Sequence, residues 1–357
     1  MDALPSLNLS EQEMYQAICD RDTRYEGQFI IGVKTTGIFC RPGCRAKTPK
    51  KENISFFPDA ATAAKSGFRP CKICQPLVPS DTPPNWIQPL LTRLEREPGE
   101  RIKDQDLREM GLAPERVRRW FQKHHQMSFQ AYQRATKMGQ ALGQLNYDDN
   151  KAASVIDTAF SLGYESLSGF QHAFKQQFDL PPTKSGEKTL ITLTRISTPI
   201  GPLLAGACDQ GICLLEFIDR WMLATQLKRL TKRMNALFAP GQHPHFDQLK
   251  LQLDQYFAGD RKTFELPLVM NGTPFQQRVW QQLMTIPSGT TRSYSEQAAA
   301  IGQPTATRAV AKANGDNMLA IVVPCHRVIG ADGSLTGYGG GLPRKRFLLA
   351  LEGAGEF

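Results

Sequence analysis

Ile321-Val322-Val323-Pro324-Cys325-His326-Arg327-Val328 is the stretch around which the rest of the chain is organised. Three β-branched apolar residues predict a short buried strand, and Pro324 predicts its end because proline cannot donate to a strand ladder. Cys325 is then presented at the following turn, where His326 can take the thiol proton directly or through a water molecule. Such a base needs an acceptor that orients it, and Glu352 is the candidate.

The plain alternative is that Cys325 is a small buried apolar residue at the end of a strand. The surrounding motifs favour chemistry instead. VVPCHRV, TGYGGG and LLALEG together resemble the active-site region of the O6-alkylguanine-DNA alkyltransferases. The resemblance is strong over the C-terminal segment and weaker over the segment before it.

This resemblance implies roles for several upstream residues. The helix beginning at Thr305 is implied to enter the minor groove of DNA, where Arg308 fills the space left by a flipped-out guanine. Extrusion is required because the O6 substituent cannot reach a thiolate from inside the base stack. Tyr294 is implied to help turn the nucleotide and to donate to the base, and Asn317 to brace the turn before the active-site strand. Tyr338 joins the base-binding set because the glycines around it can line a pocket with backbone groups.

Composition sets broad limits on what the chain can be. Its 357 residues are enough for about two to four domains with their own cores. Lys and Arg number 43 against 34 Asp and Glu, a formal net charge of +9 that suits a polyanionic partner. The excess is six over 188–357, two over 1–85 and one over 86–187, so it lies mostly in the segment that carries Cys325.

The first twenty residues lack the basic start and apolar core of a signal peptide. No run of eighteen apolar residues predicts a membrane span, so we expect no membrane partner. We therefore expect the reducing cytoplasm, where clustered cysteines indicate a metal site or chemistry.

Two close cysteine pairs predict a metal site near the start of the chain. Cys40 and Cys44 are separated by three residues, Cys71 and Cys74 by two, and twenty-six residues lie between the pairs. This spacing is typical of four thiolates around one tetrahedral Zn²⁺, with Zn–S distances of about 2.3 Å. In the simplest interpretation the metal only clamps a small domain that has a modest core.

The segments TTGIFCRPGCRAK and GFRPCKICQP resemble the N-terminal domain of Ada-type DNA repair proteins. The resemblance implies that Cys40 is both a zinc ligand and the acceptor of a methyl group from a methylphosphotriester in the DNA backbone. Cys44, Cys71 and Cys74 are implied to be ligands only. A zinc-bound thiolate stays deprotonated at neutral pH and keeps its nucleophilic character.

Cations close to these ligands in sequence are expected to hold DNA phosphates. They are Arg41, Arg45, Lys47 and Arg69. A solvated surface is the alternative for the lysines. The remaining cysteine of this segment, Cys19, is expected to lie in the core of a helix among apolar neighbours.

A linker rich in proline, 76–84, precedes a helical segment with a first helix over about 86–96. A break at Gly111 is followed by Pro114, which suits the first turn of a helix. Arg116 and Arg119 fall on that helix and are expected to contact DNA in the major groove. A solvated face on an ordinary helical bundle is the alternative.

A second helical unit follows. The pattern AFxLGYxSLSxFxxAFKxxF over 159–178 resembles the second helix–turn–helix of AraC-type regulators. Gly163 is predicted just beyond the end of one helix, and Ser166 or Ser168 is predicted to cap the next. Two such units could occupy successive major-groove turns of an operator.

The pattern of apolar and polar residues changes again after residue 186. An alternating pattern predicts a strand over 191–196, and 201–205 and 212–217 are predicted as further strands around a turn at 209–211. Cys208 and Cys213 are predicted as core residues. Helices are predicted to begin near Thr273, with Pro274 at the first position, and near Ser293.

The sequence thus predicts a multidomain α+β protein. Its predicted parts are a zinc-binding α+β domain over 1–85, an all-α AraC-type tandem helix–turn–helix domain over 86–187, and an alkyltransferase with an α+β lobe over 188–267 and a winged-helix-like catalytic lobe over 268–357. We expect one zinc ion per chain, a monomer, and double-stranded DNA as the partner, both alkylated DNA and a promoter operator. We also expect RNA polymerase as a partner.

The predicted function is irreversible transfer of methyl groups to Cys325 and Cys40, coupled to regulation of transcription. Two alternatives stay open at this point. One is a zinc-dependent regulator whose C-terminal lobe is inactive, and the other is a cysteine hydrolase, since Cys, His and Glu also suit acyl chemistry.

Overall fold

A computed structural model describes residues 7–97, 99–146, 154–186 and 188–355. The elements follow one another as a small sheet with two helices, a run of six helices, a second sheet with two helices, and a final helical group. Within the described ranges, no helix has the length and apolar character needed to cross a bilayer.

The N-terminal group is a four-stranded sheet in the order β3-β1-β2-β4. Strand β1 pairs antiparallel with β2 and β3, and β2 pairs parallel with β4, which brings the ends of β2 and β4 together. The elements are α1 (Glu11–Asp20), β1 (Ile30–Val33), β2 (Ile38–Cys40), β3 (Ile54–Phe57), α2 (Ala60–Lys65) and β4 (Arg69–Pro70).

Helix α1 corrects one prediction for this group. Ala17 and Ile18 are its buried residues, whereas Cys19 is exposed. The prediction that Cys19 lies in the helix core is therefore wrong. The apolar neighbours were read correctly, but at 3.6 residues per turn the position after Ala17 and Ile18 points away from the sheet.

The six helices that follow form two helix–turn–helix pairs, α4–α5 and α7–α8, with the long helix α6 between them. They are α3 (Gln88–Arg96), α4 (Asp104–Glu109), α5 (Pro114–His125), α6 (Phe129–Asn146), α7 (Val155–Ser161) and α8 (Leu167–Phe178). Gly111 and Gly163 both have φ of +73°, and each follows the shorter helix of its pair. Ser166 caps α8 by accepting from the backbone of Gly169, so the predicted glycine break and serine cap are confirmed.

The second sheet has the order β7-β6-β5-β8. Its strands and helices are β5 (Thr189–Ile196), β6 (Leu203–Cys208), β7 (Gly211–Phe217), α9 (Leu223–Met234), β8 (Ala236–Pro240) and α10 (Pro244–Phe257). The three strands predicted in this part of the chain are confirmed. Cys208 and Cys213 are buried, as predicted.

The final group is mainly helical. It comprises α11 (Pro274–Leu283), β9 (Arg292–Ser293), α12 (Tyr294–Ala300), α13 (Thr307–Gly315), β10 (Val328–Ile329) and α14 (Leu342–Leu351). Thr273 and Ser293 both form capping boxes with the residue three positions further on, so both predicted helix starts are confirmed. The largest apolar core joins these helices to β6, β7 and α10.

The predicted strand at 321–323 is wrong. These residues are buried but form turns, and Ile321 has a φ of +70°. Val322 N and Val323 N donate within these turns, to Ala320 O at 2.8 Å and to Leu319 O at 2.9 Å. The side chain of Asn317 donates to Val323 O and accepts from Leu319 N. What remains is one isolated bridge between Leu215 of β7 and Leu319. A left-handed β-branched residue is unusual, and the Asn317 bonds stabilise this turn.

Two ion pairs connect parts of the chain that are distant in sequence. Asp81, in the predicted linker, pairs with Arg195 of β5 at 2.6 Å and lies 3.3 Å from His124 of α5. Arg346 of α14 pairs with Glu13 of α1 at 2.8 Å. The linker is therefore held against both the helical region and the second sheet.

Candidate active sites

Cys325 begins a single 3₁₀ turn, Cys325–Arg327, directly after Pro324. The residue is 9% exposed, so a reacting group must come to it through a narrow opening. Nδ2 of Asn317 lies 3.2 Å from Sγ of Cys325 and donates to it. Since the same amide also fastens the turn, the acceptor sulfur is held in one place.

His326 and Glu352 form a buried pair beside this cysteine. Nε2 of His326 lies 3.0 Å from Oε1 of Glu352. Arg327 donates to both carboxylate oxygens at 2.8 and 2.9 Å, and the hydroxyl of Tyr256 donates to Oε1 at 2.8 Å. The carboxylate is thus fixed from three sides and orients the imidazole, as the sequence suggested.

The protonation states follow from this packing. Burial alone would raise the pKa of Glu352, but His326 and Arg327 outweigh it and hold that pKa well below its ordinary range. Burial lowers the pKa of His326 in spite of the neighbouring carboxylate, which favours a neutral imidazole. Burial raises the pKa of the Cys325 thiol, and the Asn317 hydrogen bond opposes that rise. The thiol is therefore mostly protonated at rest, and the neutral imidazole of the next residue is chemically able to take its proton.

His326 has one ring nitrogen left for that task. Nδ1 is buried and has no hydrogen-bond partner among the described residues. With Nε2 bound to Glu352, a neutral ring can present Nδ1 as an acceptor. A water molecule or the thiol itself can serve as its partner.

The two residues expected to handle the nucleotide are carried by α12 and α13. The hydroxyl of Tyr294 is 3.3 Å from the carbonyl oxygen of Gly337 and 3.4 Å from that of Thr336, so it connects α12 to the glycine-rich loop. Burial raises the pKa of Tyr294, which keeps its proton available for donation. Arg308 is exposed in the first turn of α13.

Tyr338 lies behind the imidazole of His326, in the glycine-rich loop. Its hydroxyl is buried without a partner among the described residues, and its ring packs edge-on against Phe217 and His326. Tyr338 is placed among the base-binding residues because of the backbone groups of this loop, and its contact with the base stays a prediction. The glycines around it, which prompted the expectation, do form the adjoining loop.

The four cysteines predicted to bind zinc come together. Cys40 ends β2 and Cys71 follows β4, and these parallel strands bring the two pairs side by side. The Sγ atoms of Cys40, Cys44, Cys71 and Cys74 all lie within 4.8 Å of one another. A tetrahedral ZnS₄ centre has S–S separations of about 3.8 Å, so one zinc ion fits this quartet with small adjustments.

One of the cations expected to hold phosphate is used inside the protein. Arg41 is 7% exposed and pairs with Glu26 at 3.0 Å. It also donates to the carbonyl oxygens of Gln75 and Val78 at 2.6 and 2.5 Å. Nη1 and Nη2 of Arg41 are therefore engaged inside the protein, whereas Nε is buried without a partner among the described residues, and the contact of Arg41 with DNA stays a prediction. Arg45, in contrast, is exposed beside the quartet, as are Lys47 and Arg69.

The helix–turn–helix residues are placed as follows. Arg116 and Arg119 are exposed on α5, and the guanidinium of Arg116 lies 4.0 Å above the ring of Trp86. Arg118, between them, pairs with Asp104 of α4. The contact of Arg116 with Trp86 is a cation–π arrangement that leaves its donors available.

Sequence reasoning missed several groups near Cys325. Arg327 lies inside the quoted motif, but only the fold shows that it holds Glu352. Lys345 is fully buried, donates to the carbonyl oxygens of Val328 and Thr336, and has its pKa lowered to about 8 by burial. Nothing local in the sequence signals the contact of Tyr256 with Glu352, since the two residues meet only through tertiary packing.

The fold and the two cysteine centres define a class of protein: a multidomain zinc protein with paired helix–turn–helix units and a buried acceptor thiol. Four family models match the chain. They are the metal binding domain of Ada over 13–76, a helix-turn-helix domain over 107–187, and the ribonuclease-like and DNA binding domains of 6-O-methylguanine DNA methyltransferase over 191–270 and 274–354.

Similar proteins cover nearly the whole chain. It is 34% identical over 364 residues to the bifunctional transcriptional activator/DNA repair enzyme Ada of Escherichia coli, and 32% identical over 367 residues to the regulatory protein ada of Salmonella typhimurium, with 98% of both chains covered in each case. It is also 57% identical over 161 residues to the constitutive methylated-DNA–protein-cysteine methyltransferase of Bacillus subtilis, covering 44% of this chain and 93% of that one. The chain belongs to the Ada family of DNA repair methyltransferases and transcriptional regulators.

Proposed function

We propose that this protein repairs alkylated DNA by moving methyl groups irreversibly onto two of its own cysteines, and that one of these transfers signals to transcription. Guanine O6-methyl goes to Cys325, and a backbone methyl goes to Cys40. The observation that carries the proposal is the hydrogen bond from Asn317 to Sγ of Cys325, beside the His326–Glu352 pair. Membership of the Ada family supports both transfers.

At Cys325 the step is a displacement at the methyl carbon. Nδ1 of His326 takes the thiol proton, directly or through water, and the thiolate attacks the methyl group. The S–C bond forms as the C–O6 bond breaks, and the electron pair of that bond stays on the base. The proton that His326 took from the thiol is then returned to the base, which restores neutral guanine and neutral imidazole. Glu352 stabilises the imidazolium that forms in between, and Asn317 holds the sulfur in line.

Two further residues bring the base to the thiol. We propose that Arg308, exposed on α13, takes the place of the extruded guanine in the duplex. Tyr294 turns the nucleotide and donates to the base as its oxygen gains electron density. The product at Cys325 is a thioether, which water does not hydrolyse, so each chain acts once.

At the N-terminal site, Cys40, Cys44, Cys71 and Cys74 would hold the zinc ion. The metal supplies a thiolate that stays unprotonated at neutral pH. Arg45, which is exposed, and its neighbours Lys47 and Arg69 would contact the phosphates that flank the lesion. The sulfur of Cys40 takes the methyl group, and the phosphotriester returns to a charged diester.

We propose that the regions are divided at the predicted boundaries, 1–85, 86–187, 188–267 and 268–357. The helices α5 and α8 would read a promoter through residues including Arg116 and Arg119. The similarity to a transcriptional activator supports RNA polymerase as a further partner. We also propose a monomer that acts in the cytoplasm.

The experiment that tests the function is incubation with methylated duplex DNA, followed by peptide mass mapping of every cysteine. One methyl group on Cys325 and one on Cys40, with no turnover beyond that, is the expected result. A cysteine hydrolase would turn over with unmodified cysteines, and a regulator with an inactive C-terminal lobe would modify Cys40 alone. The comparisons give no support to either alternative.

A further inference from the structure

Arg220 reaches the acceptor turn from another part of the chain. It lies between β7 and α9, and its side chain is 5% exposed. Nη1 donates to the carboxylate of Glu216 and to the carbonyl oxygen of Asn317, the latter at 3.2 Å. Nη2 donates to the carbonyl oxygen of Gly315 at 2.5 Å. One guanidinium therefore joins the second sheet to the segment that leads to Cys325.

The two carbonyl groups lie at or just beyond the C-terminal end of α13. Carbonyls at this end of a helix have no partner within the helix, and the end carries a partial negative charge, so a guanidinium is well placed there. The carbonyl oxygen of Asn317 also accepts from Nε2 of Gln226 at 3.1 Å. The helix that carries Arg308 is thus fastened from the second sheet at the point where it meets the acceptor turn.

Asn317 is the link between this fastening and the reacting sulfur. Its backbone carbonyl is held by Arg220, while its side-chain amide donates to Sγ of Cys325 at 3.2 Å and to Val323 O at 2.9 Å. We propose that Arg220 is a positioning residue for methyl transfer, because it fixes the backbone of Asn317 and thereby aims the Asn317 amide at Cys325. This inference rests on the proposed transfer to Cys325 as the reaction that is positioned.

The glycine-rich loop shows how closely this arginine is packed. A Cβ atom on Gly339 would lie 2.5 Å from Cζ of Arg220, so the guanidinium lies directly against the loop backbone. The same guanidinium therefore contacts both the backbone of Asn317 and the glycine-rich loop. A planar group with several donors in a fixed fork can serve two carbonyls and a carboxylate together, whereas a lysine ammonium presents one point charge.

Glu216 makes the arrangement electrically neutral. It is fully buried, and its other oxygen accepts from Phe217 N at 3.0 Å. Since the charges of Glu216 and Arg220 oppose each other, Arg220 acts on the thiol through geometry more than through net charge. Replacing both residues by neutral amides removes the pair without leaving an unpaired buried charge.

The test is the single-turnover rate of methyl transfer from an O6-methylguanine duplex, measured from pH 6 to 9. Arg220→Lys keeps a positive charge beside Glu216 but loses the planar set of guanidinium donors. We expect a rate lower by about tenfold to a hundredfold, the usual cost of disturbing a hydrogen bond to a charged group. We also expect the pH–rate profile to move to higher pH, because the thiolate loses part of the Asn317 bond, while duplex affinity stays unchanged. The double variant Glu216→Gln/Arg220→Gln should show the same shift and covers the case in which Arg220→Lys does not fold.

The matched control is Arg233→Lys on α9. Arg233 is exposed and donates to the carbonyl oxygen of Asn271, away from Cys325, so its rate and profile should equal those of the wild type. A folded Arg220→Lys protein with the wild-type rate and profile overturns the inference. The inference is also overturned if the rate falls only in proportion to the folded fraction and the pH–rate profile does not move. That result would mean that Arg220 has a structural role alone. Failure of the wild type to methylate Cys325 contradicts the proposed function instead.

Discussion

Nε2 of His326 and Oε1 of Glu352 lie 3.0 Å apart, in side chains that are 0% and 2% exposed. Neither group reaches water, so the protonation state of each is coupled to folding as well as to the proposed methyl transfer. The pKa values of both residues are lower in the folded protein than in the unfolded chain. Each therefore favours the folded state at neutral pH, and protonation favours the unfolded state.

Glu352→Gln should destabilise the C-terminal part by about 3 kcal/mol at pH 7, since it leaves Arg327 buried without its partner. The stability that Glu352 contributes is present above its unfolded pKa near 4.3 and is lost as the pH falls through the folded value. The difference in thermal midpoint between wild type and variant should therefore shrink below about pH 4.5. Calorimetry across pH 3.5 to 8 measures it, with the exposed Asp260→Asn as control. A difference that stays constant with pH contradicts the prediction.

Cys325→Ser should abolish methyl removal from O6-methylguanine, because a serine hydroxyl is far less ionised than a thiol at neutral pH. Methyl transfer from phosphotriesters to Cys40 should continue, since that centre lies elsewhere in the chain. Peptide mass mapping after incubation with each lesion gives both results from one protein. Guanine repair at the wild-type rate would sink the assignment of Cys325.

Arg308→Ala should slow repair in duplex DNA far more than reaction with the free O6-alkylated base. Unstacking a base costs a few kcal/mol, and an arginine that fills the gap offsets part of this cost. Arg278→Ala is a suitable control because Arg278 also lies in this helical group, on α11. Equal losses on both substrates would point to a structural role for Arg308.

One zinc ion per chain should be found by metal analysis, and strong chelation should unfold the small N-terminal sheet. Cys44→Ser should weaken metal retention, whereas Cys19→Ser should not, since Cys19 is exposed and outside the quartet. Hydrogen exchange over residues 30–57 reports the unfolding. A metal-free protein that keeps protection there would refute the structural role of the zinc.

Methylation of Cys40 should tighten DNA binding. Four thiolates on Zn²⁺ carry a net charge of −2, and methylation removes one negative charge beside the DNA backbone. At 10 Å one charge pair is worth about 0.4 kcal/mol in water and about 1.7 kcal/mol at an effective dielectric constant of 20. Over two or three phosphates this gives about 1 kcal/mol in water and about 3–5 kcal/mol at the lower dielectric constant, or roughly fivefold to a few thousandfold in affinity.

Salt-matched titrations of unmethylated and Cys40-methylated protein on one duplex measure this difference. The gap between the two curves should narrow as salt is added, because the effect is electrostatic. Protein methylated only at Cys325 is the control. Curves that overlay at low salt would rule out this electrostatic switch, whatever the repair activity.

Local patterns predicted much of this molecule. The cysteine spacing identified the zinc quartet, and glycine and serine positions identified the helix–turn–helix limits, because caps and ligand pairs act over a few residues. The VVP run misled the strand prediction, since burial alone does not separate a strand from turns held by a side chain. Asn317 is that side chain. The family resemblance implied that it braces this turn, but only the fold shows which backbone atoms it binds.

The remaining differences have a common cause. Arg41 and Arg327 are buried cations whose carboxylate partners lie 15 and 25 residues away, and buried Arg220 binds carbonyl groups 95 and 97 residues away. A sequence pattern treats an arginine near a DNA-binding motif as a surface group, because most arginines are exposed. Only tertiary structure shows which of them fasten the protein together and which face the nucleic acid.

The linker between the zinc-binding region and the helical region is held at both ends. Arg41 binds the carbonyl groups of Gln75 and Val78, and Asp81 binds Arg195. A chain segment fixed in this way would set the distance between the phosphate that is repaired and the bases that α5 and α8 are proposed to read. The number of base pairs between lesion and operator, and not only the presence of a lesion, would then decide which repair events lead to activation of a promoter.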